Sequence, residues 1–132
     1  MNIVKFNEVQ DKIITIRGEK VILDSDVATL YNVETMRINE AVKNNPKKFP
    51  EGYLFELSKN EKQKVIENFD NPKIKFSPTL PKAFTKKGLY MLATILKGDR
   101  ATETTIAIIE AFDKLMDLQA TIAELTLLTF KH

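Results

Sequence analysis

The sequence contains no cysteine, and its one histidine, His132, is the last residue. The absence of cysteine excludes disulfides, thiolate nucleophiles and cysteine metal sites, and it fits a cytoplasmic protein. A zinc or iron site would need carboxylates alone as ligands, so no metal is expected. No apolar run approaches the roughly 20 residues that cross a bilayer. The first ten residues lack a signal-peptide pattern, and we expect no membrane partner.

Motifs of catalysis are also lacking. The four glycines are isolated, no phosphate-binding GxxxxGK[ST] motif is present, and the serines have no histidine partner in the interior of the chain. Asp24 and Asp26 stand at a predicted helix start, where capping explains them. Other acidic residues are spread along one polar helix face: Asp99, Glu103, Glu110, Asp113 and Asp117. The sequence therefore predicts no enzyme, no cofactor and no small-molecule substrate.

Length and charge point to one domain with a basic middle. The 132 residues, 43% of them apolar, suffice for a single core. Residues 37–87 hold 12 basic and 6 acidic side chains, or +6, whereas residues 1–36 and 88–132 each carry −2. A concentration of positive charge is typical of a surface that faces phosphates. Lysines on a merely solvated face are the alternative.

The N-terminal half predicts a hairpin followed by two helices. The segment "IITIRGEKVIL" alternates in polarity around Gly18, which is typical of a short β-hairpin. Asp24 or Ser25 is expected to cap a first helix that ends at Asn32, because asparagine tolerates the left-handed conformation. A second helix then begins at once and is bounded by prolines at 46 and 50.

The remaining elements complete an α+β pattern. We expect a strand over Tyr53–Leu57, a polar helix capped by Ser58, and a proline-rich stretch from 70 to 84 that forms a loop or short edge strands. Thr85 is expected to cap an apolar helix that Gly98 closes. From 99 to 132 there is neither glycine nor proline, which predicts one long helix or two.

The two adjoining helices have the pattern of a helix-turn-helix. Such a motif needs a small residue in the first helix, a left-handed residue at the turn, and apolar residues after the turn and within the second helix. These needs are met by Ala28, Asn32, Val33, Ile38 and Val42. A helical corner with a solvated outer face is the structural alternative.

The outward side of the second helix suits a DNA groove. If Ile38 faces inward, helical geometry places Met36, Asn39, Glu40, Lys43 and Lys47 outward, with Arg37 and Asn44 on the flanks. Asparagine can pair with adenine, glutamate with cytosine and arginine with guanine, while methionine packs on a thymine methyl. Lys43, Lys47 and Lys48 would contact phosphates.

Three ordered motifs resemble a known family. "LDSDVATLY", "RINEAVKNNPKKFP" and "LPKAFTKKG" resemble the KilA-N superfamily, in particular its ORF-six-N branch, from about Ile14 to Leu118. That resemblance implies an α+β DNA-binding domain of phage and bacterial regulators, including antirepressors, and hence the cytoplasm of a bacterial or phage-infected cell. It points to the segment Thr35–Lys48 and, more weakly, to the loop Ala83–Gly88.

This sequence departs from the family at two places. Lys86 and Lys87 stand where members often have glutamate and glutamine. The segment that connects the second and third motifs carries Lys73, Lys75 and Lys82, where members usually have arginine and glycine. The resulting candidate DNA-binding residues are Thr35, Met36, Arg37, Asn39, Glu40, Lys43, Asn44, Lys47, Lys48, Lys86 and Lys87. In contrast, Phe49, Tyr53, Phe55 and Leu57 are expected to serve the core and the strand.

The end of the chain suggests an interaction surface. Leu118, Ile122, Leu125 and Leu128 recur at three and four residues, and Leu127 and Phe130 widen the stripe. Packing on a second copy is favoured, but the stripe could fold back on its own domain or meet a further module. We therefore divide the chain into a DNA-binding domain, 1–118, and a helical extension, 119–132.

The predicted function is sequence-specific binding of double-stranded DNA by a dimer in phage or bacterial gene control. The second helix would lie in the major groove. The alternative is an antirepressor-type module that binds a repressor protein without touching DNA.

Overall fold

The computed structural model describes residues 6–69 and 71–130. It is an α+β fold in which four short strands form one antiparallel sheet in the order β1-β2-β4-β3. The strands are β1 (Ile14–Ile16), β2 (Glu19–Leu23), β3 (Leu54–Glu56) and β4 (Lys82–Phe84). The helices are α1 (Phe6–Gln10), α2 (Asp24–Tyr31), α3 (Thr35–Asn44), α4 (Lys59–Phe69), α5 (Pro72–Lys75), α6 (Lys86–Ala93) and α7 (Asp99–Phe130).

The N-terminal hairpin is confirmed. Ile16 pairs with Glu19, so Arg17 and Gly18 form a two-residue turn in which both residues have positive φ, 55° and 76°. Such turns match the right-handed twist of the strands, and glycine occupies its position without strain. The exposed Arg17 side chain is held by Glu61 at 2.8 Å and lies over the Phe55 ring. The turn is therefore tied to α4 and β3.

The sheet separates two apolar clusters because successive strand residues point to opposite faces. Val21 and Leu23 of β2 pack with two buried residues, Val65 of α4 and Ile74 of α5. Ile22, between them, faces the larger cluster, which is formed with α1, α2, α3, α6 and the first part of α7. The molecule is thus three layers thick, with α2 and α3 on the large-cluster side.

Two caps predicted at helix starts are confirmed. Ser58 and Glu61 exchange hydrogen bonds with each other's backbone amides, which is a capping box at the start of α4. The Thr85 hydroxyl accepts from the Gly88 amide at the start of α6. The hydroxyl also donates to the carbonyl oxygens of Gly52 and Tyr53, so the same side chain joins α6 to the loop before β3.

The proline-rich stretch contains the predicted short strand, but the strand is not at an edge and the first half is helical. Its first half forms α5, with Pro72 in the first turn, where a missing amide hydrogen is not needed. Its second half, β4, is a central strand that pairs with both β2 and β3. Pro81 lies just before β4, and the prolines therefore remove no hydrogen bond from this ladder.

Two helix boundaries and one additional helix differ from the prediction. The helix α2 begins at Asp24, so neither Asp24 nor Ser25 is its N-cap residue. The helix α6 ends at Ala93, and Gly98 instead accepts a hydrogen bond from the Thr102 amide at the start of α7. The short helix α1 was not predicted, although its Val9 is completely buried in the large cluster. Five residues are too few to show a helical period.

The long C-terminal helix is continuous from Asp99 to Phe130. Its buried residues end at Phe112, and from Met116 to Leu128 every side chain is exposed. The stripe of Leu118, Ile122, Leu125 and Leu128 therefore does not fold back on its own domain, contrary to one of the alternatives. The Phe130 side chain and residues 131–132 lie outside the side chains that the structure describes.

Candidate nucleic-acid interface

The turn between α2 and α3 is built as the sequence predicted. Asn32 has φ 57° and ψ 46°, which is the left-handed conformation. The Val33 amide donates to the Ala28 carbonyl oxygen at 2.9 Å and the Asn32 amide to Thr29 at 3.2 Å. This pair of bonds is a Schellman motif, which satisfies the free carbonyl groups at the end of α2. It reverses the chain within three residues, so that α3 packs directly against α2.

The helix α3 has one buried and one exposed side. Ile38 and Ala41 are buried and Val42 is half-buried, all against the large cluster. Most of the contact residues predicted on α3 itself lie on its exposed side: Met36, Arg37, Glu40, Lys43 and Asn44. Met36 is 69% exposed. Thr35, at the start of the helix, is half-buried.

Asn39 does not face outward as expected. It is half-buried, and its side chain lies close enough to the carboxyl group of Asp24 to favour the charged form of that carboxyl. Its Oδ1 atom is buried and has no hydrogen-bond partner among the described residues. The ideal helical angle placed this residue outward, but Asp24 at the start of α2 lies close enough to bind it. Asn39 thus connects the two helices in this structure.

The Asp24 carboxyl group is the centre of this connection. It accepts a hydrogen bond from the Ser25 backbone amide at 2.9 Å, and the Asn39 side chain and the Lys82 backbone amide lie close enough to favour its charged form. Burial raises the pKa of this carboxyl above its ordinary value, while Asn39 and the two backbone amides act in the opposite direction. One side chain therefore joins α2, α3 and β4. A helix cap was all that the sequence suggested for Asp24.

Positive charge continues beyond the end of α3. Lys47 and Lys48 lie in a single 3-10 turn, Pro46–Lys48, which follows α3. Lys47 is exposed, whereas Lys48 is half-buried and donates to the Thr94 hydroxyl at 2.8 Å. That bond fixes the basic turn to the residue after α6. Lys47 and Lys43 are left with their ammonium groups in solvent.

The two lysines of the "AFTKKG" loop lie elsewhere on the surface. Lys86 is bound to Asp113 of α7, and this hydrogen bond raises its pKa. Lys87 is exposed and lies 6.0 Å from the centre of the Tyr53 ring. Both line a cleft of about 570 Å³ between the hairpin and α7. The length of α6, about 12 Å, separates them from Thr94 and the basic turn, so the structure does not group them with α3.

A second cleft, which the sequence did not predict, adjoins the start of α3. Its volume is about 400 Å³, and its lining includes Glu34 and Thr35 together with Lys73, Ser77 and Thr79. The helix α5 and the loop after it therefore flank the N-terminus of α3. The signal in the sequence was the run "KIKFSP", which has two lysines and an aromatic residue but no helical or strand periodicity.

Two further findings concern the residues that the structure describes. Within 6–69 and 71–130, no group of three or more histidine or acidic side chains is placed to hold a metal ion. In that same part of the chain, none of the helices combines the length and the apolar character needed to span a membrane.

Comparison with known proteins gives one match. A family model described as the ORF6N domain matches residues 11–95, which extend from the end of α1 to just beyond α6. The match covers α2, α3 and the whole sheet, and it ends before α7. No curated protein and no solved structure matches the chain.

Proposed function

Because this chain belongs to the ORF6N domain family, as its match over residues 11–95 shows, we propose that it binds double-stranded DNA in a sequence-specific manner and regulates transcription in a phage or a bacterium. In this proposal, α2 and α3 act as a helix-turn-helix and α3 enters the major groove. The wider relationship to the KilA-N superfamily and a location in the cytoplasm are parts of the same proposal.

The exposed side of α3 is the observation that carries the proposal. Arg37, Lys43 and Lys47 make no ion pair with any described residue, although Glu40 is three residues from both Arg37 and Lys43 on the same helix. Met36, Glu40 and Asn44 share this exposed side. A solvated helix does not need this arrangement, whereas a groove offers donors, acceptors and methyl groups for each of these side chains.

The structure changes which residues we assign to base contact. Met36, Arg37 and Glu40 are near the N-terminal end of α3, which is the part of a recognition helix that contacts base edges. Lys43, Lys47 and Lys48 are near its C-terminal end, and we assign them to phosphates. Asn39 is assigned to positioning α3 through Asp24, not to adenine.

Arg37 and Lys47 provide a matched pair of variants. We expect Arg37→Ala to reduce the preference for the best DNA site over others by about 1–3 kcal/mol. Lys47→Ala should weaken binding to all duplexes by a similar factor and make the slope of log K against log salt less negative by about 0.9. Fluorescence anisotropy at several salt concentrations measures both quantities. Identical behaviour of the two variants would contradict base readout by α3.

The first experiment is selection of bound sequences from a mixed duplex pool, with gel shifts at low and moderate salt. Retention that falls steeply with salt, together with an enriched sequence, would support a specific DNA reader and give its site. Absence of retention at low salt would contradict DNA binding by this chain.

We also propose that a second copy of the chain covers the exposed half of α7. Leu115, Leu118, Ile122 and Leu125 follow one another at spacings of three, four and three residues, which is the pattern of a coiled-coil seam. Apart from Leu115, these side chains are more than half exposed. Two-fold pairing would suit a helix-turn-helix protein, because such proteins commonly bind two half-sites.

Ile122→Glu tests this pairing. Placing a carboxylate in the seam of both helices should convert the dimer to a monomer, because two buried like charges would oppose each other. Leu127→Glu is the control. The sequence pattern alone placed Leu127 at the edge of the stripe, but this exposed residue is five positions after Ile122 and therefore points away from the seam. Sedimentation at several protein concentrations measures the mass. A wild-type chain that stays monomeric throughout, or equal loss of pairing in both variants, would contradict the proposal.

The same stripe favours one other function. A repressor protein bound along α7 would make this chain an antirepressor that works without DNA contact. Salt dependence distinguishes the two functions, because an interface with an apolar centre does not weaken steeply with salt as phosphate contacts do.

A further inference from the structure

Phe76 is the most exposed large apolar side chain that the structure describes, at 78%. It follows α5 directly, and the Lys75 ammonium group lies 5.6 Å from the centre of its ring. Burying an aromatic ring stabilises a protein strongly, so a ring that remains in solvent contributes little to the stability of this fold. Isolated exposed apolar residues are common, and the surroundings of Phe76 must therefore decide whether it has a role.

The segment that carries Phe76 is held firmly. Ile74 is buried in the smaller core cluster, and the Asn71 side chain caps α5 by accepting from the Lys73 amide at 3.0 Å. Beyond Phe76, the Lys62 ammonium group donates to the carbonyl oxygen of Ser77 at 2.6 Å. Anchors on both sides therefore fix the backbone around an aromatic ring that remains in solvent.

The position of this segment connects it with α3. Ile74 and Ser77, on either side of Phe76, line the cleft that Glu34 and Thr35 line from the start of α3. The N-terminal end of a recognition helix lies deepest in the major groove. A segment beside that end therefore faces the backbone of the duplex that borders the groove.

The charge of the segment complements DNA. Lys73 and Lys75 are both exposed, and neither forms an ion pair with a described residue, although Lys73 is near enough to Asp26 to favour the charged form of that carboxyl. The Lys73 ammonium group donates to the Thr29 hydroxyl of α2 at 2.6 Å, which directs this charge toward the helical pair. Lysines beside an exposed aromatic ring are the combination that binds nucleic acid through phosphates and through an apolar surface together.

We propose that α5 and Phe76 form a second DNA-contacting element, beside the one that α3 provides. Lys75 contacts a phosphate, and the Phe76 ring packs on the sugars at the edge of the groove next to the one that α3 occupies. This inference rests on the proposed DNA binding by α3, and it adds a contact that extends the site to one side.

Two substitutions separate the apolar contact from the charged one. Phe76→Ala should weaken binding to the selected duplex about three- to tenfold, as expected when a partly buried aromatic ring is lost, and leave the salt slope unchanged, because no charge is removed. Lys75→Ala should make that slope less negative by about 0.9. In a hydroxyl-radical footprint, which reports on sugars, Phe76→Ala should lose protection at one edge of the site while protection by α3 remains.

Phe69 and Lys64 supply matched controls on α4. Phe69 is also exposed, at 55%, and with Lys64 it lines a cleft beside the hairpin; neither residue lines the cleft at the start of α3. Phe69→Ala and Lys64→Ala should leave affinity, salt slope and footprint unchanged. All four side chains lie at the surface, so thermal melts should show that each variant folds.

The outcomes distinguish the two proposals. If Phe76→Ala and Phe69→Ala have equal effects, or if neither has any while Arg37→Ala weakens discrimination, the α5 contact is overturned and DNA binding by α3 stands. If the wild-type chain binds no duplex at low salt, the proposed function fails, and the α5 contact fails with it.

Discussion

Gly88→Ala is expected to destabilise the protein by about 3 kcal/mol, even though alanine is normally preferred over glycine inside a helix. At an exposed helical site the same change would stabilise by up to about 1 kcal/mol. A protein of this size should lose on the order of 10 °C in melting temperature. The sign of the effect is therefore opposite to what helix propensity alone predicts.

The reason is the close approach of two backbone segments. A Cβ atom on Gly88 would lie 2.0 Å from the carbonyl oxygen of Tyr53 and 3.0 Å from the carbonyl carbon of the same residue. These are backbone atoms just before β3, and the same carbonyl oxygen accepts hydrogen bonds from the amide and hydroxyl of Thr85. The clash can be relieved only if α6 moves away from the sheet, which would weaken these bonds and the core around Leu89 and Leu92.

Thermal and urea unfolding measure the effect. Lys87→Ala is the control, because it makes an alanine at the neighbouring, exposed position of the same helix. We expect that variant to unfold within about 0.5 kcal/mol of the wild type. If Gly88→Ala were as stable as Lys87→Ala, α6 could not approach Tyr53 as closely as the structure has it.

Asp24→Ala is expected to cost about 2–4 kcal/mol of stability. The substitution removes the acceptor of the Ser25 amide and the carboxylate that the Lys82 amide and the Asn39 side chain approach. Asp24 is 6% exposed, so water cannot readily replace the lost bonds. In addition, α3 would lose its polar connection to α2 and β4.

A double-mutant cycle tests the link to α3. Asn39→Ala alone should cost less than Asp24→Ala, because the two backbone amides stay beside Asp24. The double variant should be more stable than the sum of the two single effects implies, since the two side chains interact with each other. Urea unfolding gives the free energies, with Asp11→Ala as an exposed control. Strict additivity would contradict a direct interaction between Asp24 and Asn39.

The same variants bear on DNA binding. If Asn39 positions α3, Asn39→Ala should weaken binding to all sequences alike at temperatures where the variant is fully folded. A selective loss at sites with adenine would instead support the original assignment of Asn39 to base contact. The measurement is the selected-sequence preference of the variant, compared with that of Arg37→Ala.

Local features of this fold were predictable because their causes lie within a few residues. The Arg17-Gly18 turn, the left-handed Asn32, and the caps Ser58 and Thr85 each follow from the conformation or hydrogen bonding of the residue itself. The alternation along β2 and the period of α3 likewise depend only on geometry that repeats along the chain. The family resemblance also rested on these local motifs, and the ORF6N match agrees with it.

Features decided by partners distant in sequence were not predictable in this way. A reader of residues 70–84 sees prolines and expects a loop or an edge, yet β4 is central because β2 and β3 meet on both its sides. The helical angle placed Asn39 outward, yet its side chain interacts with Asp24, which is 15 residues earlier in the chain. The family resemblance pointed to Lys86 as a DNA contact, and its pairing with Asp113 of α7 could not be read from the sequence.

The sequence by itself therefore determined the hairpin, the longer helices, the caps of α4 and α6, the basic middle third and the family, but not α1, α5 or the central place of β4. Tertiary structure alone decided which exposed charges remain free on α3, which polar residues join the layers, and that α5 stands beside the start of α3. The physical reason is that a turn or a cap is stabilised by atoms of its own segment, whereas burial and pairing depend on what the rest of the chain brings to the same place.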